Sequence, residues 1–352
     1  CGTEIAMKAV NQALTKINNR NFVLKQIIRK PMPRIELAGI TGLTKMTVSN
    51  IVNELIEDGY ITEGSREIQD TPGRRPTVLM PDKDKYCILG IYLCRDNVTA
   101  FSANLNGDVG ITAEEEFKDE TAASVSEKIL SAAKRITDSE KGIMGIGISS
   151  IGPIDFENGA LIKPPYFFDI DCIEICRILR EAFSLPVFIE NDMNASALAE
   201  KYWGNAGELS NFIYLGAAKG IGAGIVMNGR LCGGDFGEIG HVTVDMNGRK
   251  CQCGNRGCLE MYASISNSAK ENDKEQICRY LAEGCITLMN LFNPQKILLG
   301  HGIPLLGNDA ADIISAYTQN RCIMSRHKRI DIEFSKFRDK APFYGAAAIF
   351  ID

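Results

Sequence analysis

Gly237–Glu260, GEIGHVTVDMNGRKCQCGNRGCLE, brings one histidine, three cysteines and two flanking carboxylates into one short stretch. Cys251, Cys253 and Cys258 are spaced C-x-C-x4-C, and His241 precedes them by a short loop. A structural zinc takes four tetrahedral nitrogen or sulfur ligands, and three cysteines with one histidine are a standard set. Gly248, Gly254 and Gly257 supply the backbone freedom that a tight knuckle needs. The competing reading, three cysteines acting as small buried hydrophobes, fits poorly with Gln252, Asn255 and Arg256 beside them. Four protein ligands leave no open position, so the expected Zn2+ is a scaffold. Glu238 and Glu260 would then be pinned near the metal without binding it, as a rigid polar substrate site requires.

A chain of 352 residues exceeds one small core and predicts two or three domains. It has no run of about 18 apolar residues, the length of a membrane span, and no apolar signal core near its start. The expectation is a cytoplasmic protein. Of the twelve cysteines, those outside the knuckle are scattered in apolar contexts, among them Cys87, Cys172, Cys176 and Cys285. Reduced thiols plus one metal site explain them better than disulfides. Charge is uneven: residues 1–85 carry 13 Lys/Arg against 10 Asp/Glu, and the remainder 26 against 34. A mildly basic head on an acidic body points weakly to an anionic partner for the head.

In the head, Asn21–Arg29 reads as a short helix and Arg34–Ile40 as a second, with Gly42 in the following turn. Thr44 looks like an N-cap. The next helix runs toward Gly59 with Val48, Ile51, Val52, Leu55 and Ile56 on one face. Its open N-terminal face shows Lys45, Met46, Thr47, Ser49, Asn50 and Asn53. Two helices about a Gly-containing turn form a helix-turn-helix, whose second helix reads bases in the major groove. An ordinary helical hairpin would look similar up to this point. The chain continues, however, with strands at Tyr60–Glu63 and Thr77–Met80 around the polar loop Gly64–Arg75. That is a β-wing with Arg74 and Arg75 near its tip, placed for phosphates or a narrow minor groove. Pro81–Lys85 reads as a linker.

The body alternates strands and helices, which predicts an α/β fold. Strands are expected at Tyr86–Tyr92, Val98–Leu105, Gly110–Phe117, Ile143–Ser149 and Pro186–Glu190, with a helix over Ala122–Thr137. Ile151–Asp155 is expected as a turn and Ala195–Tyr202 as a helix. Asn191–Asn194 lies between strand and helix, at the carboxyl end of a sheet, where α/β proteins bind ligands. Asp192 is a candidate general base or hydrogen-bond acceptor for a sugar hydroxyl. An N-cap role is the alternative for Asp192, and also for Asn194. Gly216–Gly224 reads as a glycine-rich loop that could cradle phosphate, alone a weak signal. Further strands are expected at Phe212–Leu215, Ile225–Met227 and Lys296–Leu299, a hairpin turn at Asn228-Gly229, and a last helix near Tyr344–Phe350.

GEIGH followed by C-x-C-G-x-x-G-C-L-E, with IGPID, ENDMN and GIGAG upstream, resembles the ROK family of sugar kinases and sugar-responsive repressors. The N-terminal winged helix-turn-helix with its GRRP wing is similar to the repressor branch. The resemblance covers nearly the whole chain. It implies a winged helix-turn-helix over residues 1–80, a linker at 81–85, and an actin/hexokinase-like (ribonuclease H-like) body of two α/β lobes. The small lobe would hold 86–192 with about 335–352, and the large lobe 193–334 with the zinc knuckle. It further implies that Asp192 sits at the kinase base position and that Asn191, Glu238, His241 and Glu260 contact sugar. His241 would also ligate zinc with Cys251, Cys253 and Cys258.

The departures separate the branches. ROK kinases carry a D-x-G-G-T type loop after the first body strand; here Tyr92-Leu93-Cys94-Arg95-Asp96 stands there, with tyrosine for the Asp and Cys94 and Arg95 for two glycines. A second phosphate loop reads Ala218-Lys219 where the kinases have G-T. Phosphoryl transfer depends on positioning and metal-assisted electrostatics, so losing these groups predicts a sugar site without a working nucleotide site. The expected function is a DNA-binding regulator, a repressor of carbohydrate genes, dimeric on paired half-sites and tuned by a sugar or sugar phosphate. Two alternatives are an ATP-dependent sugar kinase with a regulatory head and a regulator whose body only dimerises or docks a protein.

Overall fold

The computed structural model describes residues 12–65, 77–234, 236–265, 273–319, 321–323 and 329–352, and the chain divides into two units, Cys1–Tyr86 and Cys87–Asp352. In the first unit, helices α1 (Gln12–Arg29), α2 (Arg34–Thr41) and α3 (Lys45–Glu57) precede the antiparallel strands β1 (Ile61–Ser65) and β2 (Thr77–Pro81). Val23, Ile27, Leu37, Val48, Val52 and Leu55 close around Ile61 and Leu79. Met32 joins the ribbon through a bridge to Leu79. Gly42 ends α2 in a left-handed conformation (φ 68°), and the Thr44 hydroxyl accepts from the Thr47 N–H to start α3. Helix α1 starts at Gln12, nine residues before the expected Asn21. Its early turns are held to α3 by Lys16–Glu54 and Arg20–Asp58 ion pairs of 2.7 and 2.6 Å, which apolar spacing does not reveal. Arg74 and Arg75, expected at the wing tip, lie outside the described residues.

The second unit begins with β3 (Cys87–Leu93), β4 (Asn97–Asn104), β5 (Val109–Glu116), α4 (Ala122–Thr137) and β6 (Ile143–Ser150). Three short strands follow, β7 (Ile154–Asp155), β8 (Ala160–Ile162) and β9 (Cys172–Ile173), which pair in that order. Then come α5 (Ile175–Phe183), β10 (Val187–Asn191) and the central helix α6 (Asp192–Trp203). Strands β11 (Phe212–Ala217), β12 (Ile221–Met227) and β13 (Arg230–Leu231) lead to the knuckle and the short α7 (Glu260–Ala263). Helix α8 (Lys274–Phe292), β14 (Lys296–Gly300), α9 (Ala310–Thr318), β15 (Asp331–Phe334) and α10 (Ala341–Ile351) complete the order.

Two five-stranded sheets result, β10-β6-β3-β4-β5 and β13-β12-β11-β14-β15. They share one plan. An antiparallel trio (β3-β4-β5; β11-β12-β13) is extended by two parallel strands (β6 and β10; β14 and β15). Helix α6 is buried from Met193 to Tyr202, and α10 packs on it so closely that a Cβ at Gly345 would lie 2.3 Å from the Ala195 carbonyl oxygen.

Several expectations need correction. Gly216–Gly224 is not a long loop. Gly216 and Ala217 end β11, Ala218–Gly220 make a tight turn, and β12 begins at Ile221. Glycine is needed because the strand lies against α6: a Cβ at Gly224 would sit 2.2 Å from the Met193 carbonyl oxygen. Ile151–Asp155 holds a cis Gly152–Pro153 bond and enters β7, so it is more than a turn. Neither Asp192 nor Asn194 caps α6. The Asn191 side-chain oxygen does so, accepting from the Met193 N–H at 2.9 Å.

Candidate sugar cleft and metal centre

The carboxyl ends of the parallel strands and their neighbours converge on one cavity of about 450 Å³. Asn191 and Asp192 arrive from the end of β10, Lys219 from the β11–β12 turn, and His301 from just past β14. Glu238, His241 and Glu260 reach it from the knuckle and the start of α7. All five residues expected to contact sugar therefore line one space, although they span some 70 positions of sequence.

Asp192 is enclosed by protein on every side except the cavity. Burial pushes its carboxyl above the usual range, while His301 and Arg95 nearby pull it back down. His301, which the sequence did not single out, is enclosed likewise, and burial holds its imidazole below its ordinary value against the opposing pull of Asp192. The parallel pairing of β14 with β11 carries His301 there, and no motif announces it. Glu260 accepts from the Ile221 N–H at 3.3 Å, which ties α7 to the start of β12.

The phosphate-side substitutions also reach this region. Arg95 lines the cavity, and its Nε donates to the Pro165 carbonyl at 3.2 Å. Lys219 Nζ stands 3.6 Å from Asp96 Oδ1, an exposed ion pair joining the β11–β12 turn to the turn after β3. Burial pushes the Tyr92 hydroxyl well above its ordinary value, with the neighbouring Cys94 and Asp192 adding to the effect.

The ligand atoms of His241, Cys251, Cys253 and Cys258 all lie within 4.8 Å of one another. Cys251 Sγ is 3.7 Å from His241 Nδ1, and Cys253 Sγ is 3.6 Å from Cys258 Sγ. A zinc–sulfur bond of about 2.3 Å gives a tetrahedron with edges of about 3.8 Å, so the donor set fits zinc in kind, number and size. Burial and the two neighbouring cysteines push the Cys258 thiol up to about 12, as expected where only a cation would favour the thiolates together. The turn itself demands Gly257 (φ 70°), where a Cβ would fall 1.6 Å from the Asp245 carbonyl oxygen. His241 offers Nδ1 to the cysteines while its Nε2 lies 3.9 Å from Glu238. A metal on Nδ1 would leave the proton on Nε2, facing the cavity as a donor.

In the first unit, Lys45, Met46 and Asn50 are exposed on α3 and Thr47 and Ser49 are partly so. Thr47 is partly engaged by the cap, its hydroxyl 2.9 Å from that of Thr44. Asn53 is held from α2 by Arg34, whose other nitrogen binds Glu63 at 2.8 Å. Arg34 thus braces α3 against the ribbon, leaving the helix's first two turns as its open face.

Comparison with known proteins agrees with this architecture. A xylose repressor from Caldicellulosiruptor bescii is 31% identical, over 97% of each chain. A crystal structure of a ROK family transcriptional regulator, a homologue of the Escherichia coli MLC protein, superposes with a TM-score of 0.78 at 26% identity, covering 95% of this chain and 96% of that one. A ROK hexokinase from Thermus thermophilus aligns with a TM-score of 0.65 at 26% identity, over 75% of this chain and 98% of its own. The ROK family pattern matches residues 89–276 and 265–352, and the chain belongs to the ROK family.

Proposed function

We propose that this chain is a DNA-binding transcriptional repressor whose operator affinity is set by a sugar held in the cleft. The carrying observation is the convergence of Asn191, Asp192, Glu238, His241 and Glu260 on one cavity, in a chain that also has a helix-turn-helix core of its own. Ring hydroxyls both donate and accept, and this set supplies carboxylate acceptors, an amide that does both, and an imidazole donor. If sugar and DNA favour different arrangements of the molecule, each weakens the other by the same factor. Relatives along the whole chain named as repressors support the reading.

The body works as a sensor, not a kinase. Tyr92 stands where the kinases carry a metal-side carboxylate, Arg95 enters the cavity, and Lys219 is paired to Asp96. Zinc at His241, Cys251, Cys253 and Cys258 fixes the wall that carries Glu238 and Glu260. Lys45, Met46, Thr47, Ser49 and Asn50 face the major groove, with Arg74 and Arg75 on adjacent phosphates. The lobe boundaries follow the two sheets, the protein works in the cytoplasm, and it reads paired half-sites as a homodimer.

The test begins with DNA selected by the protein from a random pool, followed by anisotropy titrations with a panel of free and phosphorylated sugars that includes D-xylose. A ligand-dependent change in affinity is expected; affinity unmoved by every sugar sinks the sensor reading. The hexokinase likeness gives the rival a footing, since Asp192 is in place. Sugar-dependent ADP release that disappears in Asp192→Ala would establish a kinase instead.

A further inference from the structure

We propose that the cleft holds a second, aromatic subsite, formed by Phe156, Tyr166 and Phe236, that takes the second ring of a disaccharide. The preferred effector is then a neutral sugar of two pyranose rings, not a free monosaccharide. This rests on the sugar-sensing reading above and adds the ligand class to it.

The polar groups described so far occupy part of the cavity. Three aromatic side chains line the same space, and all remain open to solvent: Phe156 at 37%, Tyr166 at 68% and Phe236 at 65% exposure. Large apolar rings left this open inside a cleft are candidates for ligand contact. Phe156 and Tyr166 come from the segment built on β7–β9, and Phe236 from the segment that precedes the knuckle. One face of a pyranose ring is a patch of C–H groups with slight positive charge, and an aromatic face is slightly negative. Rings of this kind suit a sugar's carbon face, whereas the carboxylates and Asn191 suit its hydroxyls. A cavity with both kinds of wall, of about 450 Å³, accommodates one ring among the polar groups and a second among the aromatics.

The segment bearing Tyr166 carries an independent sign of function. Lys163, Tyr166, Phe168 and Asp169 all adopt positive φ, of 41°, 59°, 52° and 51°. Bulky residues avoid this region, and such strain gathers at ligand clamps when the surroundings enforce it. Here the enforcement is visible. Phe167 is buried in the lobe core, edge-on to Phe117, and Phe168 packs against both. Phe167 anchors the segment while its neighbour Tyr166 is left facing the cavity.

The test is calorimetric binding to the full chain of D-xylose, D-glucose and N-acetyl-D-glucosamine, each beside its β-1,4-linked disaccharide (xylobiose, cellobiose, chitobiose). In one pair, the disaccharide is expected to bind about tenfold or more tighter, the scale of added stacking and apolar contact. Tyr166→Ala and Phe236→Ala should remove most of that preference and leave monosaccharide affinity unchanged, which also certifies their folding. Tyr166→Phe keeps the ring and should keep the preference. Monosaccharides that bind as tightly as disaccharides, or alanine variants that weaken both alike, overturn the aromatic subsite but leave sugar sensing intact. Failure of every sugar in the panel to bind overturns the disaccharide subsite; the sensor reading falls with it only when phosphorylated sugars also leave operator affinity unmoved.

Discussion

Removing the metal should open Gly237–Ala263 while both sheets and the head stay folded. Two thiolates 3.6 Å apart, as Cys253 and Cys258 stand, repel by about 5 kcal/mol at an effective dielectric of about 20. Without a cation, burial and the neighbouring cysteines keep the Cys258 thiol protonated, and the four ligand side chains are no longer joined through a common centre. The remaining anchors include the buried Ile239 and Leu259, worth roughly 1.5–3 kcal/mol each, the stacking of Tyr262 on Tyr280 and the Glu260 contact to the Ile221 N–H. Ordering the backbone of this stretch costs roughly 1–2 kcal/mol per residue, more than these anchors offset over that length. Structural zinc contributes about 10–16 kcal/mol in small zinc-binding peptides, several times what the two apolar side chains supply. Opening would release Glu238, His241 and Glu260 from the cleft. Three hydrogen bonds at a net of about 0.5–1.5 kcal/mol each make sugar affinity fall by roughly tenfold to a thousandfold. Hydrogen exchange by mass spectrometry, with elemental analysis of the same sample, reads the outcome. Protection should vanish across residues 237–263 on chelation of the wild type and in Cys258→Ser, with operator affinity unchanged. Full protection and full sugar response in a sample shown to be free of metal would refute the scaffold argument.

Asp192→Asn should raise the urea midpoint at neutral pH and lower sugar affinity. Burial lifts the folded carboxyl above 3.8, so this group's contribution is fully present below the unfolded value and is lost as pH rises through the folded one; the amide removes that loss. An unchanged midpoint would mean that the carboxylate is well solvated. Asn191→Ala should cost about 1 kcal/mol in stability through the lost cap and also weaken sugar, whereas Asn191→Asp keeps the cap acceptor and should weaken sugar alone. Urea melts beside calorimetry separate the two effects. Arg74→Ala and Arg75→Ala should each weaken operator binding and reduce the slope of log affinity against log salt by about 0.9; an unchanged slope would remove the wing from the DNA.

The parts legible in the sequence were those set by local spacing. Helix α3 shows its buried face through Val48, Ile51, Val52 and Leu55, and the metal cluster shows itself through three cysteines in eight residues. The ROK resemblance likewise rested on short contiguous motifs, and family membership follows from the whole body. What stayed hidden depends on distant partners. Glycines at 216, 222 and 224 suggested a loop because the pressure keeping them small comes from Met193, on another element. His301 stands alone in sequence and gains its place from strand pairing. The first half of α1 is polar, and its partners Glu54 and Asp58 lie some 38 residues away.

Three of the five polar groups expected to contact sugar have a second duty. Asn191 starts α6, His241 faces the cysteines, and Glu260 holds the first N–H of β12. A mutation at any of them alters the ligand and the scaffold together, so lineages adapting to a new carbohydrate have little room to drift there. Divergence between relatives with different effectors should instead collect at Phe156, Tyr166 and Phe236. Evolvability in this protein would then reside at the entrance of the cleft, with the floor held constant by the architecture.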